Sequence, residues 1–362
     1  MRPSYPGGMT GARRPGHFDV RPLTAVVADD PPGGARDVSL DVSVDVSVIV
    51  PAYRAAPDIA AALESVLAQT CRGIEIIVVN DGSPDTPALL AALAPYSSRI
   101  RYLQLPANRG AAVARNAGIL AARGRYVAFL DAEDRWLPGF LGRQVGYLEA
   151  HSDCALVYAD ALVSGDATAA RRRLMEDAPS EGEVTLLTLI EQRCTVILST
   201  VVVRRTALLA AGLFDEGLRR GQDFDLWLRL ALRGASIAYQ RAVLAERRAR
   251  PDAPPGDRVT ELERALTVLE RFGHRHLLDA ASRTALRIRT MQLVDRLEIE
   301  QGKRRLLEGN YPAAQYHLAA AKERPWTLRL AILCLHVAPR LARAVYLRAR
   351  ASAPPALVTS SR

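Results

Sequence analysis

Cysteine is scarce in this sequence, and the few cysteines present are not grouped. Four cysteines occur among 362 residues, and no two of them are close enough to form a CxxC pair. This pattern argues against a disulfide framework and against a zinc site built from cysteine pairs. We therefore expect a protein of the reducing cytoplasm, with Cys154 and Cys194 as small buried hydrophobic residues.

Long apolar runs are also lacking. No stretch of about 20 residues is apolar throughout, so no transmembrane helix is predicted. The nearest candidate, residues 326–338, is interrupted by Arg329 and His336. Residues 1–45 lack the apolar core of a signal peptide and are rich in Pro, Gly and Arg, which predicts a disordered lead. A disordered tail is expected over residues 351–362.

Two glycine-rich signatures are missing after the first apolar run, which ends at Pro51. The absence of a GxGxxG segment argues against a dinucleotide-dependent oxidoreductase. Residues 51–56 also lack the glycine-rich segment with a basic residue that we would expect of a nucleotidyltransferase. Both classes are therefore disfavoured.

Positive charge, in contrast, is in excess. Lys and Arg number 48 against 39 Asp and Glu, which gives a formal net charge of +9. Such an excess suits an anionic membrane surface, a phosphorylated substrate or nucleic acid. An ordinary solvated face explains each Arg-rich run at least as well, so charge alone selects no partner.

Strand-like and helix-like patterns alternate from residue 46 to residue 134. Short runs of β-branched and other apolar residues predict strands, and apolar residues spaced three and four apart predict helices. The predicted strands are 46–50, 74–79, 100–105 and 126–130, and the predicted helices are 57–69, 87–94 and 111–123. This alternation predicts an α/β fold whose parallel sheet is covered by helices.

The pattern loosens beyond residue 134. The predicted segments are a helix at 138–150, strands at 155–158 and 196–203, a mobile loop at 164–182, a helix at 222–232 and a linker at 251–258. Residues 259–350 form a mostly α-helical C-terminal region in this prediction. Its helices are expected to break at Gly273, Gly302, Gly309, Pro325 and Pro339.

Polar clusters follow the second and fourth predicted strands. The first cluster is Asn80 to Pro84, and the second is Asp131 to Asp134. Ligands of open parallel sheets bind beyond the carboxyl ends of the strands, so both clusters are candidate site residues. Carboxylates such as those of the second cluster are ligands that Mg²⁺ and Mn²⁺ favour. A helix N-terminus with acidic first-turn residues is the alternative interpretation of that cluster, and an ordinary turn is the alternative for the first.

Six segments, in order, resemble glycosyltransferase family 2, a family of inverting enzymes with the GT-A fold. These segments are Val46 to Tyr53, Val78 to Asp85, Asn108 to Gly118, Phe129 to Trp136, Gly212 to Glu216 and Gly221 to Arg229. The resemblance covers roughly residues 46–250. It implies a GT-A type, Rossmann-like sheet that binds a nucleotide-sugar, and a catalytic domain over those residues.

The resemblance also implies a donor site. Asp81 would contact the base or ribose, and Pro51, Ala52 and Tyr53 would line the nucleotide pocket. Arg115 would lie near the phosphorylated donor.

A metal site and a catalytic base are implied by the later segments. Asp131 would bind ribose and a divalent Mn²⁺ or Mg²⁺, and Glu133 would bind the metal, with Asp134 as an alternative ligand. Asp223 would be the catalytic base. Gln222 and Trp227 would lie on the acceptor side.

Three positions depart from the family's usual pattern. Glu133 stands where Asp is usual, and its longer side chain shifts the metal geometry. Gln222 stands where an acidic residue often precedes the base. Arg250-Pro251 is the nearest match to a His-Pro step, so donor handling is expected to differ.

The C-terminal region has two notable segments. Residues 306–321 resemble one tetratricopeptide-type helical hairpin, and such repeats need neighbours to bury a core. Residues 326–350 alternate apolar residues with arginines, which suits either a helix on an anionic membrane surface or one packed on the catalytic domain.

Two functions remain open from the sequence. The first is a transferase that acts in cell-surface polysaccharide or glycolipid synthesis, on a saccharide or lipid-linked acceptor, in the cytoplasm or at the inner face of the membrane. The second is a non-catalytic relative that binds nucleotide-sugars or acts as a scaffold. The joint presence of Asp81, Asp131 and Asp223 favours the enzyme, and no nucleic-acid partner is expected.

Overall fold

The computed structural model describes residues 45–164, 172–178, 180–248, 258–322 and 326–352. The strands are β1 Val46–Ala52, β2 Ile74–Asn80, β3 Ile100–Gln104, β4 Tyr126–Phe129, β5 Arg135–Trp136, β6 Cys154–Ser164, β7 Arg172–Arg173, β8 Val202–Arg204 and β9 Ser236–Arg248. The first eight helices are α1 Ile59–Leu67, α2 Thr86–Leu93, α3 Ala111–Ala121, α4 Phe140–Ala150, α5 Leu174–Asp177, α6 Leu186–Ile190, α7 Arg205–Ala211 and α8 Gln222–Leu232. The last five are α9 Arg258–Arg275, α10 Ala280–Leu307, α11 Tyr311–Ala320, α12 Trp326–Val337 and α13 Pro339–Ser352.

The strands form one mixed sheet in the order β3-β2-β1-β4-β8-β6-β9-β5, with β7 paired to β6. β1, β2, β3 and β4 pair in parallel, as the alternating pattern predicts. β8 is antiparallel to both β4 and β6, whereas β6 and β9 run parallel to each other. The parallel half brings the carboxyl ends of β1, β2 and β4 to one edge, where the polar clusters lie.

Both faces of the sheet are covered. Ile49 of β1 belongs to a core that includes α3, α7, α8 and α9, while Val48 and Val50 belong to a second core with α1, α2 and α4. Successive side chains of a strand point to opposite faces, which explains why β1 is apolar at nearly every position. Cys154 and Cys194 are buried, as predicted.

The predicted elements up to residue 150 are found with shifts of a few residues, but between residues 164 and 203 two predictions are wrong, and one later strand was missed. The strand predicted at 196–203 is instead a 3₁₀ turn at Leu198–Thr200 followed by the short β8. The loop predicted at 164–182 contains β7 and α5 in its described part. The 13-residue strand β9 was not predicted at all. It pairs with β6 through several register shifts, so its partner lies far away in the sequence.

The first helix of the C-terminal region, α9, packs into the core of the α/β domain and does not belong to a separate core. Leu262, Leu266, Leu269 and Phe272 of α9 are buried in the same core as α8. The predicted breaks at Gly273 and Gly302 are wrong, because both glycines lie inside helices, α9 and α10. A Cβ on Gly302 would lie 2.6 Å from Leu318 of α11, so this glycine allows the two helices to approach closely.

Several predicted boundaries lie outside the described residues. These are the disordered lead, except for Asp45, the Arg250-Pro251 step, most of the linker at 251–258 and most of the tail at 351–362. Arg258, the last predicted linker residue, begins α9. No helix among the described residues combines the length and the apolar content that crossing a bilayer requires.

Candidate active site

A cavity of about 330 Å³ lies where β4, α8 and α9 meet. Asp131, which follows β4, lines the cavity together with Arg115 of α3 and the first turn of α8. Four residues of α9 complete its wall: Glu261, Arg264, Ala265 and Val268. The volume is within the range of about 300–1,000 Å³ that small-ligand sites occupy.

Arg115 and Asp131 form an ion pair in this cavity. The Arg115 guanidinium donates from Nη2 to Asp131 Oδ1 at 2.7 Å. Arg115 is 5% exposed and also lies over the ring of Phe214, 5.8 Å from its centroid. Only one oxygen of Asp131 is used by this pair, so the other can accept from a ligand or bind a cation.

Buried polar atoms without hydrogen-bond partners concentrate around the cavity. Among the described residues, eight buried side-chain atoms have no partner. Five of them belong to cavity-lining residues, namely Arg115 Nε, Arg115 Nη1, Gln222 Oε1, Trp227 Nε1 and Arg264 Nε. Leaving a buried polar atom unpaired costs about 1–3 kcal/mol, so this concentration is typical of a site that binds a polar ligand.

Asp223 lies in the first turn of α8, and the rest of that helix is firmly anchored. Arg229 pairs with Asp225 at 2.8 Å and donates to the carbonyl oxygens of Ala211, the last residue of α7, and of Leu213 in the following turn. Gly221 precedes the helix with a φ of +73°. A Cβ on Gly221 would lie 2.9 Å from the Val268 side chain. The turn that presents Asp223 therefore needs glycine and packs directly against α9.

Ser199 connects Asp131 with Asp134. Its hydroxyl donates to Asp134 Oδ2 at 2.6 Å and accepts from the Asp131 amide at 3.3 Å. Burial raises the pKa of Asp134 to about 7, against the opposing effects of Arg247 and the Ser199 hydroxyl. Asp134 therefore sits in the interior beneath Asp131, where it supports the loop and is poorly placed to replace a cavity carboxylate.

The residues assigned to the nucleotide form a second group at the ends of β1 and β2. The Asp81 amide donates to the Ala52 carbonyl at 3.0 Å. The two carboxylate oxygens of Asp81 accept from the Arg109 and Gly110 amides, each at 2.8 Å. Asp81 thus holds the loop before α3 in place, and it does not line the cavity.

Pro51 and Tyr53 flank Ala52 in this second group. Tyr53 is 40% exposed, and Arg54 lies over its ring. Arg115, Asp131, Gln222, Asp223 and Trp227 are brought together in the cavity instead. The structure therefore separates the predicted site residues into a strand-end group and a cavity group.

The chemistry of the cavity residues is compatible with a divalent cation, but it does not form a complete protein cage. No cluster of three or more His, Cys, Asp or Glu able to hold a metal occurs in the described part of the chain. Mg²⁺ and Mn²⁺ sites often use one or two carboxylates plus substrate phosphates. Asp131 meets that requirement from the cavity wall, and Glu133 is two residues further along the same loop.

Sequence reasoning missed several residues of this region. Asn116 follows Arg115 in α3 and binds the backbone of Phe214, and Ser199 supports Asp131. Arg219, Arg220 and Arg264 line the cavity. Ser199 lies in the run that was predicted as a strand, Arg219 and Arg220 just precede the helix predicted at 222–232, and Arg264 lies on a helix face. None of these local patterns indicates a site, and Asn116 was noted only as part of a motif.

Comparison with known proteins supports the family resemblance. Residues 47–210 match the model of glycosyl transferase family 2. The succinoglycan biosynthesis protein ExoO of Rhizobium meliloti is 35% identical over 196 residues, which cover 52% of this chain and 56% of ExoO. The chain therefore spans little more than half the length of this relative.

Two further proteins are similar over longer shares of their length. The Escherichia coli protein WfaP, named as a UDP-Glc:α-D-GlcNAc-diphosphoundecaprenol β-1,3-glucosyltransferase, is 28% identical over 229 residues, 62% of this chain and 86% of WfaP. A mannosyltransferase from Pyrobaculum calidifontis, solved with GDP-Man and Mn²⁺, has a TM-score of 0.57 at 20% identity and covers 86% of this chain and 88% of that one. The latter likeness supports the GT-A fold alone. Residues 47–210 of this chain thus form an α/β domain that is similar to glycosyl transferase family 2.

Proposed function

We propose that this protein is an inverting, metal-dependent glycosyltransferase that moves a sugar from a nucleoside-diphosphate donor to an acceptor hydroxyl. The observation that carries this proposal is the cavity itself. It places Asp131, at the end of a parallel strand, and Asp223, at the start of α8, around one set of unpartnered polar atoms. Transfer needs both a carboxylate near the leaving diphosphate and a second one near the acceptor.

Asp223 acts as general base in this mechanism. It takes the proton of the acceptor hydroxyl while the acceptor oxygen bonds to the anomeric carbon from the face opposite the leaving diphosphate. Gln222 Oε1 and Trp227 Nε1 are buried beside it and have no partner in the described part of the chain, so they can accept from and donate to sugar hydroxyls, respectively. The configuration at the anomeric carbon is inverted by this single displacement.

Arg115 and Asp131 serve the donor side. The free donors of Arg115 stabilise the negative charge that develops on the departing diphosphate. A divalent Mn²⁺ or Mg²⁺ held by Asp131, with Glu133 as a further ligand, would neutralise the same charge as a Lewis acid. Asp81, together with Pro51, Ala52 and Tyr53, contacts the nucleoside at the ends of β1 and β2.

The names of the relatives suggest the acceptor class. ExoO is named for succinoglycan biosynthesis, and WfaP is named for transfer to a sugar on diphosphoundecaprenol. We infer by analogy that this protein acts in polysaccharide or glycolipid synthesis on a saccharide or lipid-linked acceptor. Such an acceptor would be met at the cytoplasmic face of the membrane.

The outer surface of α12 and α13 suits that location. Leu335, Ile332 and Tyr346 pack inward toward α10 and α11. The outward apolar side chains are Trp326, Leu330, Leu333, Val337, Leu341, Val345 and Leu347, all at least 42% exposed. Residues 326–350 contain five arginines and no acidic residue. This combination favours contact with an anionic lipid surface.

Calorimetry tests the donor site. The protein and Asp131→Ala would be titrated with UDP-, GDP- and dTDP-sugars, with and without Mn²⁺. We expect one nucleotide class to bind in a metal-dependent manner and the variant to lose that binding. If the well-folded protein binds no nucleotide-sugar under any condition, the donor site is wrong and a scaffolding relative becomes the better account.

A further inference from the structure

The C-terminal region contributes directly to the cavity, although the family model ends at residue 210. Arg264, Ala265 and Val268 of α9 line the same space as Asp223. The Val268 side chain lies so close to Gly221 that a Cβ there would clash with it. α9 therefore forms one wall of the cavity next to the turn that presents the base.

The charged residues of the cavity are unevenly paired. Arg115 is paired with Asp131, and Arg247 lies 3.7 Å from Asp134. Three other arginines line the cavity: Arg219, Arg220 and Arg264. Within the described part of the chain, no carboxylate oxygen lies within 4.0 Å of their guanidinium nitrogens, although Glu261 lies one turn before Arg264. Arg264 Nε is buried and has no hydrogen-bond partner among the residues that the structure describes.

These three arginines line the same cavity as Asp223. Arg219 and Arg220 are exposed and stand in the turn just before α8, and Arg264 lies on the helix packed against that turn. Asp223 must face the acceptor hydroxyl, whereas Arg115 and Asp131 stand on the strand-end side with the donor. The unpaired positive charge is therefore on the acceptor side of the cavity.

We propose that Arg219, Arg220 and Arg264 form a subsite for an oxyanion on the acceptor, a phosphate or a carboxylate next to the sugar that is extended. A guanidinium binds either group with two parallel hydrogen bonds, so both share one chemistry. The inference rests on the proposed function and adds to it the charge of the acceptor. It also gives α9 a role in acceptor specificity.

Calorimetry with three small probes tests the subsite. Glucose 1-phosphate, glucuronic acid and methyl glucoside carry a phosphate, a carboxylate and no charge, respectively. Each would be titrated into the full-length protein saturated with UDP or GDP and Mn²⁺, so that the donor phosphate site is filled. We expect at least one charged probe to bind about tenfold or more tightly than the neutral one. The charged probe that binds identifies the source of the anion.

Variants then assign the binding to these residues. Arg264→Gln and the double variant Arg219→Gln/Arg220→Gln should weaken the charged probe by about tenfold, while Arg264→Lys retains part of the affinity. Arg296→Gln, at an exposed position of α10, should change nothing. Nucleotide affinity, titrated separately, reports on the donor site and should change less than about twofold in all four variants.

Three results would overturn the subsite. The first is equal or absent binding of all three probes, and the second is unchanged binding of the charged probe in the Gln variants. The third is a loss of nucleotide affinity in those variants, which would assign the arginines to the donor instead. A failure of nucleotide binding in the unmodified protein would count against the proposed function and not against the subsite.

Discussion

Asn116 and Phe214 are joined by two hydrogen bonds between a side chain and a backbone. The Phe214 amide donates to Asn116 Oδ1, and Asn116 Nδ2 donates to the Phe214 carbonyl, both at 2.9 Å. Asn116 Nδ2 also reaches Glu216 Oε1 at 3.2 Å. Since Arg115 is the preceding residue, this link fixes the turn after α7 to the part of α3 that enters the cavity.

Asn116→Ala should therefore destabilise the fold. It leaves the buried Phe214 amide and carbonyl without partners, which we expect to lower the free energy of unfolding by about 1–3 kcal/mol. Denaturant unfolding measures this loss. Asn108→Ala, at an exposed position just before α3, is the control and should stay within about 0.5 kcal/mol. Equal effects of the two substitutions would contradict the account.

Asp215 gives a pH-dependent test of how α9 is attached. Its carboxylate accepts from Arg271 at 3.0 Å and from Arg275. Burial alone would raise the pKa of Asp215, but the Gly217 amide and the two guanidinium groups outweigh it and lower the pKa below 3.8. The folded protein thus releases this proton more readily than the unfolded chain.

Asp215→Asn should consequently cost stability at neutral pH and not in acid. We expect the unmodified protein to exceed the variant by about 1–2 kcal/mol at pH 7, because the pair is partly exposed to solvent. The difference stays constant above the ordinary Asp pKa and shrinks as the pH falls through the lowered one. Thermal unfolding at several pH values measures it. A difference that grows on acidification would show that the ion pairs do not stabilise α9.

Gly302 and Gly146 form a matched pair for the packing of α10. A Cβ on Gly302 would lie 2.6 Å from Leu318 side-chain atoms and 3.2 Å from the Leu318 amide nitrogen, whereas a Cβ on Gly146 of α4 would meet nothing within 4 Å. Gly302→Ala should destabilise by about 1–3 kcal/mol through overpacking. Gly146→Ala should stabilise by about 0.5–1 kcal/mol through helix propensity. Urea unfolding measures the free energy of unfolding of both variants. A Gly302→Ala variant that is as stable as the unmodified protein would show that α10 and α11 are not packed this closely.

The apolar surface of α12 and α13 predicts binding to anionic vesicles. Replacing Leu330 and Leu333 with Ser together should weaken co-sedimentation with such vesicles about tenfold or more, because both side chains would leave the lipid. The matched control replaces Leu120 and Leu209, which are also exposed but lie on α3 and α7. Equal binding of all proteins, or binding that neutral vesicles support as well, would argue against this surface.

The sequence was most informative where structure depends on local pattern. The strands β1 to β4 and the helices between them follow from runs and periods that a few residues reveal. β9 was missed because its pairing with β6 depends on residues about 80 positions away and includes several register shifts. The run at 196–203 was misassigned because tertiary contacts override β propensity there. The Thr200 hydroxyl instead accepts from the Ala159 amide of β6, and the Ser199 hydroxyl donates to Asp134 in the loop after β4.

The candidate site was predicted where its residues lie in local motifs, and it was missed where they depend on tertiary contacts. Asp131 and Asp223 lie in motifs, and the structure brings both to one cavity. Arg264 could not be assigned, because helical spacing indicates which face of α9 is buried but not what that face meets. The support that Ser199 and Asn116 give to the site likewise depends on tertiary contacts.

The most direct test of the account separates binding from transfer at Asp223. Sugar transfer and nucleotide-sugar affinity would be measured for the protein and for Asp223→Asn, with the donor class found by calorimetry. Loss of a general base should lower the transfer rate by about 10²–10⁴-fold and leave donor affinity nearly unchanged. A variant that transfers sugar at the normal rate, or one that no longer binds the donor, would contradict the assignment of Asp223 as the base.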